Sequence, residues 1–424
     1  MSGPDATDGG ANDHTTDDGT TDDGTTDDGT TDDGTTDDGT TDDGTTDDGT
    51  TDGGVLDRLG PSAEDDGRIH LVVLFGGQSA EHDVSCTTAA HVLAAADQEK
   101  YRITAIGIST EGRWAVAETA MEALAAGPDA LPSRLDPSGP TVSPTPALTA
   151  AGSGGGRTVV MPLLHGPMGE DGTVQGLIEV LGLPYVGAGV LASAVAMDKA
   201  MAKQVLAAAG IPQAAYRAFA AHEVTPGLAQ RLADELGLPV FVKPANMGSS
   251  VGVSKASTVD RLSAAIDLAL SYDETVVVEE AIVGKEIEVA VLGNTDPEAA
   301  TPGEIVPGQE FYSYEDKYVA DGSYAVIPAP IGDDALEECR ELALRTYRAL
   351  RCEGLSRVDF FWEDPADGGR GFLCNEVNTM PGFTPISMFP KMWIADGVSY
   401  PQIIDRLVDL ALERHGRRRR NTSH

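Results

Sequence analysis

The sequence predicts an α/β fold with a parallel sheet in its first half and a strand-rich second half. Two observations carry this. Short apolar runs alternate with alanine-rich, helix-like stretches from residue 69 onward, the pattern of βαβ units rather than of hairpins. Further along, a strand at 239–245 runs straight into a glycine- and serine-rich turn, and four more strand-like segments follow it.

The first 66 residues lie outside that pattern. Residues 15–49 repeat TTDDG without one large apolar side chain. A segment that buries nothing cannot offset an ordering entropy of roughly 1–2 kcal/mol per residue, so 1–66 reads as a disordered acidic tail. Its acid spacing would suit a calcium-binding repeat, but the apolar positions that stack such repeats are missing. Order begins with IHLVVLFGG (69–77), read as a buried parallel strand feeding a glycine loop. Ser85 to Ala96 reads as a helix and RITAIGIS (102–109) as the second strand. The stretch 126–156, rich in Pro, Gly, Ser and Ala, reads as a loop or insertion. A strand at 157–164, a helix near 173–182 and a short strand at 184–188 follow. Met197 to Ala209 is helical, stopped by Gly210 and Pro212. Strands are expected at 239–245, 275–282, 285–292, 355–363 and 371–377, and an amphipathic helix at 401–413. RRRR at 417–420 reads as a frayed basic end. The expected units are the tail (1–66), an N-terminal α/β substrate domain (67–196), a central lobe (197–287), a C-terminal lobe (288–415) and the basic end (416–424).

Composition narrows the function classes. The net charge of the 424 residues is −39. Much of it sits in the tail, and the remainder is also acidic, so the basic face that nucleic-acid binding needs is lacking. No apolar run reaches the roughly 18 residues of a membrane span, and the start lacks the basic and apolar regions of a secretory signal. Cys86, Cys339, Cys352 and Cys374 form no CxxC pair, so neither structural zinc nor a disulfide framework is expected, and a cytoplasmic location fits.

Two familiar phosphate motifs fail. There is no GxxxxGK[ST], and Gly187-Ala-Gly189-Val-Leu-Ala192 resembles a dinucleotide fingerprint but has no acid ending a second strand about twenty residues on. The stronger candidate is Lys243-Pro-Ala-Asn-Met-Gly-Ser-Ser-Val-Gly252. Its lysine offers a point charge at a strand end, and its glycines and serines let N–H and hydroxyl groups converge on phosphate oxygens. Asp359, Glu376 and Asn378 add two carboxylates and an amide oxygen, hard ligands suited to magnesium. Glu376 and Asn378, two apart on a strand, point to one face.

At these residues the chain resembles the D-alanine–D-alanine ligases of the ATP-grasp superfamily. The resemblance runs from about 69 to 411 through FGGQSAEHDVS (75–85), LHGPMGEDGTVQGLIE (164–179), MDKAMAK (197–203), VKPANMGSSVGV (242–253), VEEAIVGKEIEVAVL (278–292), FYSYEDKY (311–318), SRVDFF (356–361) and NEVNTMPGFTPISMFP (375–390). It leaves the tail and the 114–156 stretch unexplained. It implies an ATP-grasp fold in which two small sheets hold ATP behind an N-terminal parallel-sheet domain. Lys199 and Lys243 would contact the phosphates, under the loop of Gly248, Ser249 and Ser250. Glu279, Glu280 and Ile282 would line the adenine pocket and Glu286 would hold the ribose. Asp359, Glu376 and Asn378 would bind two magnesium (or manganese) ions. Arg357 and the Gly382 N–H would stabilise the oxyanion. Glu81 would pair with the first D-alanine's ammonium, held by Ser249 and Tyr318, with His165 close by. Lys317, Ser387 and the Met388 amide would take the second carboxylate. The resemblance further implies D-alanine and ATP as partners, a homodimer, and a flap at 307–327. A D-alanine–D-lactate ligase and a non-catalytic nucleotide sensor remain alternatives; a sensor would lack a metal ligand or Arg357.

Since the tail offers nothing to dock, deleting residues 1–66 is expected to leave activity and thermal stability within about 1 kcal/mol of the full chain. Thermal denaturation of both forms checks this, and a larger loss would show that the tail packs against the body.

Overall fold

The computed structural model describes residues 66–152, 157–308 and 324–418. The tail expected at 1–66 therefore lies, but for Asp66, outside the described residues, as do Lys317 and Tyr318.

The first unit contains β1 (Ile69–Gly76), α1 (His82–Ala95), β2 (Tyr101–Ile108), β3 (Trp114–Val116), α2 (Glu118–Ala126), α3 (Pro144–Gly152), β4 (Thr158–Pro162), α4 (Thr173–Val180) and α5 (Val190–Met197). The sheet order is β3-β2-β1-β4, with β1 parallel to β2 and β4 and only β3 antiparallel. β1 is buried on both faces. Leu71, Val73 and Phe75 enter one core, and Val72 and Leu74 another, which is why its sequence is an unbroken apolar run rather than an alternation.

Three expectations change here. The stretch 126–156 is not simply a loop. It holds α3, whose Ala147, Leu148 and Ala151 are fully buried. Pro144 and Pro146 obscure that helix in the sequence, yet they fall in its first turn, where a proline removes no helical hydrogen bond. The strand expected at 184–188 reduces to a single parallel bridge, Val160 to Tyr185. The helix expected over 197–209 is present but starts two residues later. α5 ends at Met197, and α6 (Lys199–Ala208) begins after Asp198, whose carboxylate accepts the Met201 N–H at 2.9 Å.

The second sheet holds β5 (Tyr216–Ala220), β6 (Val240–Pro244), β7 (Ser254–Ala256) and β8 (Thr275–Glu280), with α7 (Leu228–Leu236) and α8 (Val259–Leu270) against it. Its order is β5-β8-β6-β7, antiparallel throughout. Val240, Val242, Val276 and Val278 pack on Leu262 and Ile266. Their partners in the alternation turn to the opposite face, where the polar chemistry lies.

The third sheet follows the path β12-β11-β9-β13-β14, with β10 added on β9. Its strands are β9 (Lys285–Gly293), β10 (Glu298–Ala299), β11 (Gly303–Val306), β12 (Tyr324–Val326), β13 (Gly354–Glu363) and β14 (Gly371–Asn378). β11 precedes the expected flap segment, β12 lies at its far end, and the two pair in antiparallel register. α9 (Asp333–Ala349) packs on one face through Leu342 and Tyr347. α10 (Met388–Ala395) and α11 (Tyr400–Arg417) cover Ala290, Leu292 and Leu355 on the other. Leu71, Val73 and Phe75 of β1 belong to that same core, so α11 joins the first sheet to the third. Among the described residues no helix is long and apolar enough to cross a membrane.

The basic end is not frayed where it is described. Arg417 pairs with Glu353, and Arg418 reaches Glu179 at 2.7 Å and Glu353 at 2.6 Å. One turn earlier Arg414 is buried. Its guanidinium donates to the carbonyls of Tyr185 (2.7 Å) and Gly187 and lies 4.1 Å over the Tyr185 ring. Arg414→Ala leaves both carbonyls buried without donors, so unfolding free energy should fall by about 2–4 kcal/mol, readable by urea denaturation.

Candidate active site

Loops from all three sheets converge on one region. On the second sheet, Lys243 and Glu279 come from neighbouring strands. Lys243 stands opposite Val277, so Glu279, two residues further along β8, shares its face. The two form an ion pair, and Lys243 also donates to Asn375 Oδ1 at 3.2 Å. Lys203 reaches the other Glu279 oxygen at 2.9 Å. It was not expected, although it lies four residues from Lys199 on the same helix face. Lys199 itself donates to the Met247 carbonyl at 2.5 Å, tying α6 to the glycine-serine turn.

Charge coupling decides the protonation of these groups. Burial alone would push the Glu279 carboxyl up, but Lys203 and Lys243 outweigh it and bring it to about 2. Burial pulls Lys243 down, and Glu279 more than reverses that. Lys199 is lowered, by burial first and then by charges that include Lys243. The next residue on β8 faces away. Glu280 accepts the Ala215 N–H and an Arg370 bond, both at 2.7 Å, and its side chain is outside the cluster. Ile282 is half-buried in the loop after β8. Glu286 on β9 lies close enough to Lys243 to help raise it.

On the third sheet, Asp359 of β13 stands directly opposite Glu376 of β14, and Arg357 opposite Asn378. Arg357 grips Asp359 with two bonds of 2.8 and 2.7 Å and reaches Glu288 at 3.1 Å. The Asn378 amide donates to Asp359 Oδ2 at 2.9 Å. Burial pulls the Arg357 guanidinium down, yet Asp359 and Glu288 hold it well above its ordinary value. Two carboxylates directly across a sheet repel unless a cation joins them. Among the described residues no three His, Cys, Asp or Glu side chains cluster as a metal site; Asp359, Glu376 and Asn378 bring two carboxylates and a side-chain amide together on neighbouring strands. That all-oxygen set fits a hard divalent cation and not zinc.

Between the first two units lies a cavity of about 240 Å³, lined by Gln78, Ser79, Glu81, Met168, Gly248 and Ser249 among others. A Cβ on Gly248 would sit 3.2 Å from Glu81 Oε2, a tight contact that the carboxylate would have to yield to by a few tenths of an ångström. Met168, Ser249 and Ser250 hold left-handed backbones (φ 66°, 47° and 60°), strain of about 1–3 kcal/mol each that gathers at functional sites. His165 is buried; its Nδ1 bonds the Met380 carbonyl at 3.0 Å, while Nε2 has no partner among the described residues. A Cβ on Gly382 would lie 3.2 Å from Ser387 Oγ, which also bonds the Thr384 hydroxyl at 2.8 Å; Met388 opens α10 beside them.

Glu170 also went unanticipated. It lies within the quoted stretch LHGPMGEDGTVQGLIE, but nothing in its spacing marks it. It is buried, accepts the Gly166 N–H at 2.8 Å, and burial, then the Glu81 carboxylate, pushes it up to about 8.

A glycine-serine turn on one antiparallel sheet, with Lys243 at a strand end and Lys199 at the start of α6, facing an acidic pair on another sheet, defines an ATP-grasp enzyme. Models of two domains match the chain, the D-ala D-ala ligase N-terminus over residues 70–188 and the D-ala D-ala ligase C-terminus over 205–409. The chain belongs to the D-alanine–D-alanine ligase family. The D-alanine–D-alanine ligase of Mycolicibacterium gilvum (strain PYR-GCK) is 45% identical over 82% of this chain and 98% of the relative. That of Bacillus pumilus (strain SAFR-032) is 45% identical over 82% and 97%. Among solved structures, the D-alanine-D-alanine ligase from Coxiella burnetii superposes with a TM-score of 0.69 at 36% identity, covering 82% of this chain and 95% of that one. The VanG D-Ala:D-Ser ligase from Enterococcus faecalis gives 0.69 at 34%, covering 81% and 99%.

Replacing Arg357 by Met leaves the carboxylates of Asp359 and Glu288 without their shared cation in a site of low exposure. The expected destabilisation is about 3–5 kcal/mol, measured by denaturant unfolding without metal or nucleotide.

Proposed function

We propose that this chain joins two D-alanines into D-alanyl-D-alanine, coupled to cleavage of ATP to ADP and phosphate, for the synthesis of peptidoglycan precursors. The observation that carries the reading is the meeting of Lys199 and Lys243 with the Asp359–Glu376–Asn378 set around one glycine-serine turn. Phosphoryl transfer asks a protein mainly for position and charge neutralisation, and these groups supply both.

In this reading the domain limits are 67–196, 197–287 and 288–415. Glu279, Glu280 and Ile282 line the adenine pocket, and Glu286 takes ribose. Asp359, Glu376 and Asn378 hold two magnesium or manganese ions, which when bound offset the phosphate charge. Glu81 binds the first D-alanine's ammonium. That amino acid's carboxylate oxygen attacks the γ-phosphorus, ADP leaves, and an acylphosphate forms. The amine of the second D-alanine then attacks the acyl carbon, phosphate departs, and the amine loses a proton. Arg357 and the Gly382 N–H face the oxyanion that develops between those steps. Lys317, Ser387 and the Met388 amide hold the second carboxylate, and the unpartnered His165 Nε2 faces substrate. The segment 307–327 closes the site against water, which would hydrolyse the acylphosphate. The protein works in the cytoplasm as a homodimer.

The second substrate is D-alanine rather than D-lactate, because 307–327 contains Lys317-Tyr318 and no histidine. A mixed-substrate reaction near neutral pH, read by mass spectrometry, should give the dipeptide; a predominance of D-alanyl-D-lactate would overturn this choice. Asp359→Asn and Glu376→Gln should each lower kcat by roughly 10²–10³-fold with the fold retained. Near-normal phosphate release at saturating magnesium would count against the metal assignment.

A further inference from the structure

The charge cluster against the second sheet contains one cation more than phosphate binding uses. We propose that Lys203 is a positioning residue that holds the Glu279 carboxylate toward the nucleobase once Lys243 turns to the phosphates, so that the site selects adenine over guanine. The proposal rests on the adenine-pocket reading of Glu279 and deepens it.

The geometry separates the two lysines. Lys243 pairs with Glu279 Oε1 and Lys203 with Oε2, so each carboxylate oxygen has its own ammonium. Lys243 stands at a strand end beside the turn and also touches Asn375, so it can swing outward toward a phosphate. Lys203 cannot. Its side chain is 4% exposed, its ammonium lies 5.2 Å from the centre of the Tyr216 ring, and among the described residues it has no further hydrogen-bond acceptor. When Lys243 leaves, Oε1 becomes free while Oε2 stays compensated.

A buried carboxylate left with no cation would take up a proton and become a donor. Kept ionised it is an acceptor only, and its free oxygen suits the N–H of an exocyclic amine. Adenine presents that amine at C6, whereas guanine presents a carbonyl oxygen there, setting acceptor against acceptor. Lys203 would thus act on base choice without touching the nucleotide.

The test uses the full chain and equilibrium binding of ATP and of GTP, with thermal shift as a second readout. Lys203→Met should weaken ATP binding by about 10–100-fold and GTP binding far less, narrowing the preference. The melting temperature without nucleotide should change little, since Lys243 still pairs with Glu279 there, while the shift induced by ATP shrinks. Lys203→Arg should keep the preference, and KM for D-alanine should stay unchanged in both. Equal losses for the two nucleotides, or no loss, would overturn the role of Lys203, provided that Glu279→Gln does weaken ATP. An unchanged ATP affinity in Glu279→Gln would instead overturn the adenine-pocket reading. If Lys203→Met does not fold, Lys203→Gln, which removes the charge but keeps a polar side chain beside Glu279, must show the same lost preference, and retention of it would refute the proposal.

Discussion

The site is governed by the need to keep carboxylates and cations side by side where little water reaches them. Glu279, Glu288 and Asp359 are all less than a tenth exposed. An uncompensated charge in such a place costs several kcal/mol, so each acid is matched by a cation from its own strand, a neighbouring strand or a helix. Arg357 serves Asp359 and Glu288 together, and Lys203 and Lys243 divide the two oxygens of Glu279. Because these pairs are directional, charge balance and side-chain placement are one constraint. Glu170 departs from the scheme: it is held by backbone N–H groups instead of an ion pair, and its carboxyl accordingly sits far above the usual range.

Sheet geometry carries this balance into function. Alternation sends the valines of β6 and β8 into the core and leaves Lys243 and Glu279 on the opposite face. In the third sheet the β13–β14 register, with an irregularity after Asp359, sets that residue against Glu376. A slip of one residue would turn every one of these side chains to the wrong face. The cores therefore do more than stabilise: they lock the register that assembles two charged surfaces.

Loops supply the rest, and they store strain. Three non-glycine residues with left-handed backbones, Met168, Ser249 and Ser250, lie in the loop and turn that border the cavity beside Glu81. The 246–252 turn approaches Glu81 and Gly166 so closely that a Cβ on Gly248 would stand 3.2 Å from Glu81 Oε2 and 3.9 Å from the Gly166 Cα. Tight approach of this kind shapes the pocket of the described residues.

Much of this was legible from the chain alone. Apolar runs mark β1, β2 and β4 because a strand buried on both faces leaves no room for polar residues. The lysine, the glycine-serine turn and the acid–acid–amide set announce themselves because their chemistry demands those residue types at those spacings. Helix α3 was hidden, since prolines that break a helix interior are harmless in a first turn and the sequence does not say which they occupy. Lys203 and Glu288 were hidden for another reason: a buried charge is defined by its partner, and the partners lie 76 residues away for Lys203 and 69 for Glu288. Arg417 and Arg418 looked like loose basic ends until Glu353 and Glu179 came into place beside them. Local pattern thus determined the fold class, the family and the residue types of the chemistry. Which charges compensate one another, and so which side chains are held in position, was decided only by the tertiary structure, because electrostatic pairing acts through space and leaves no period in the sequence.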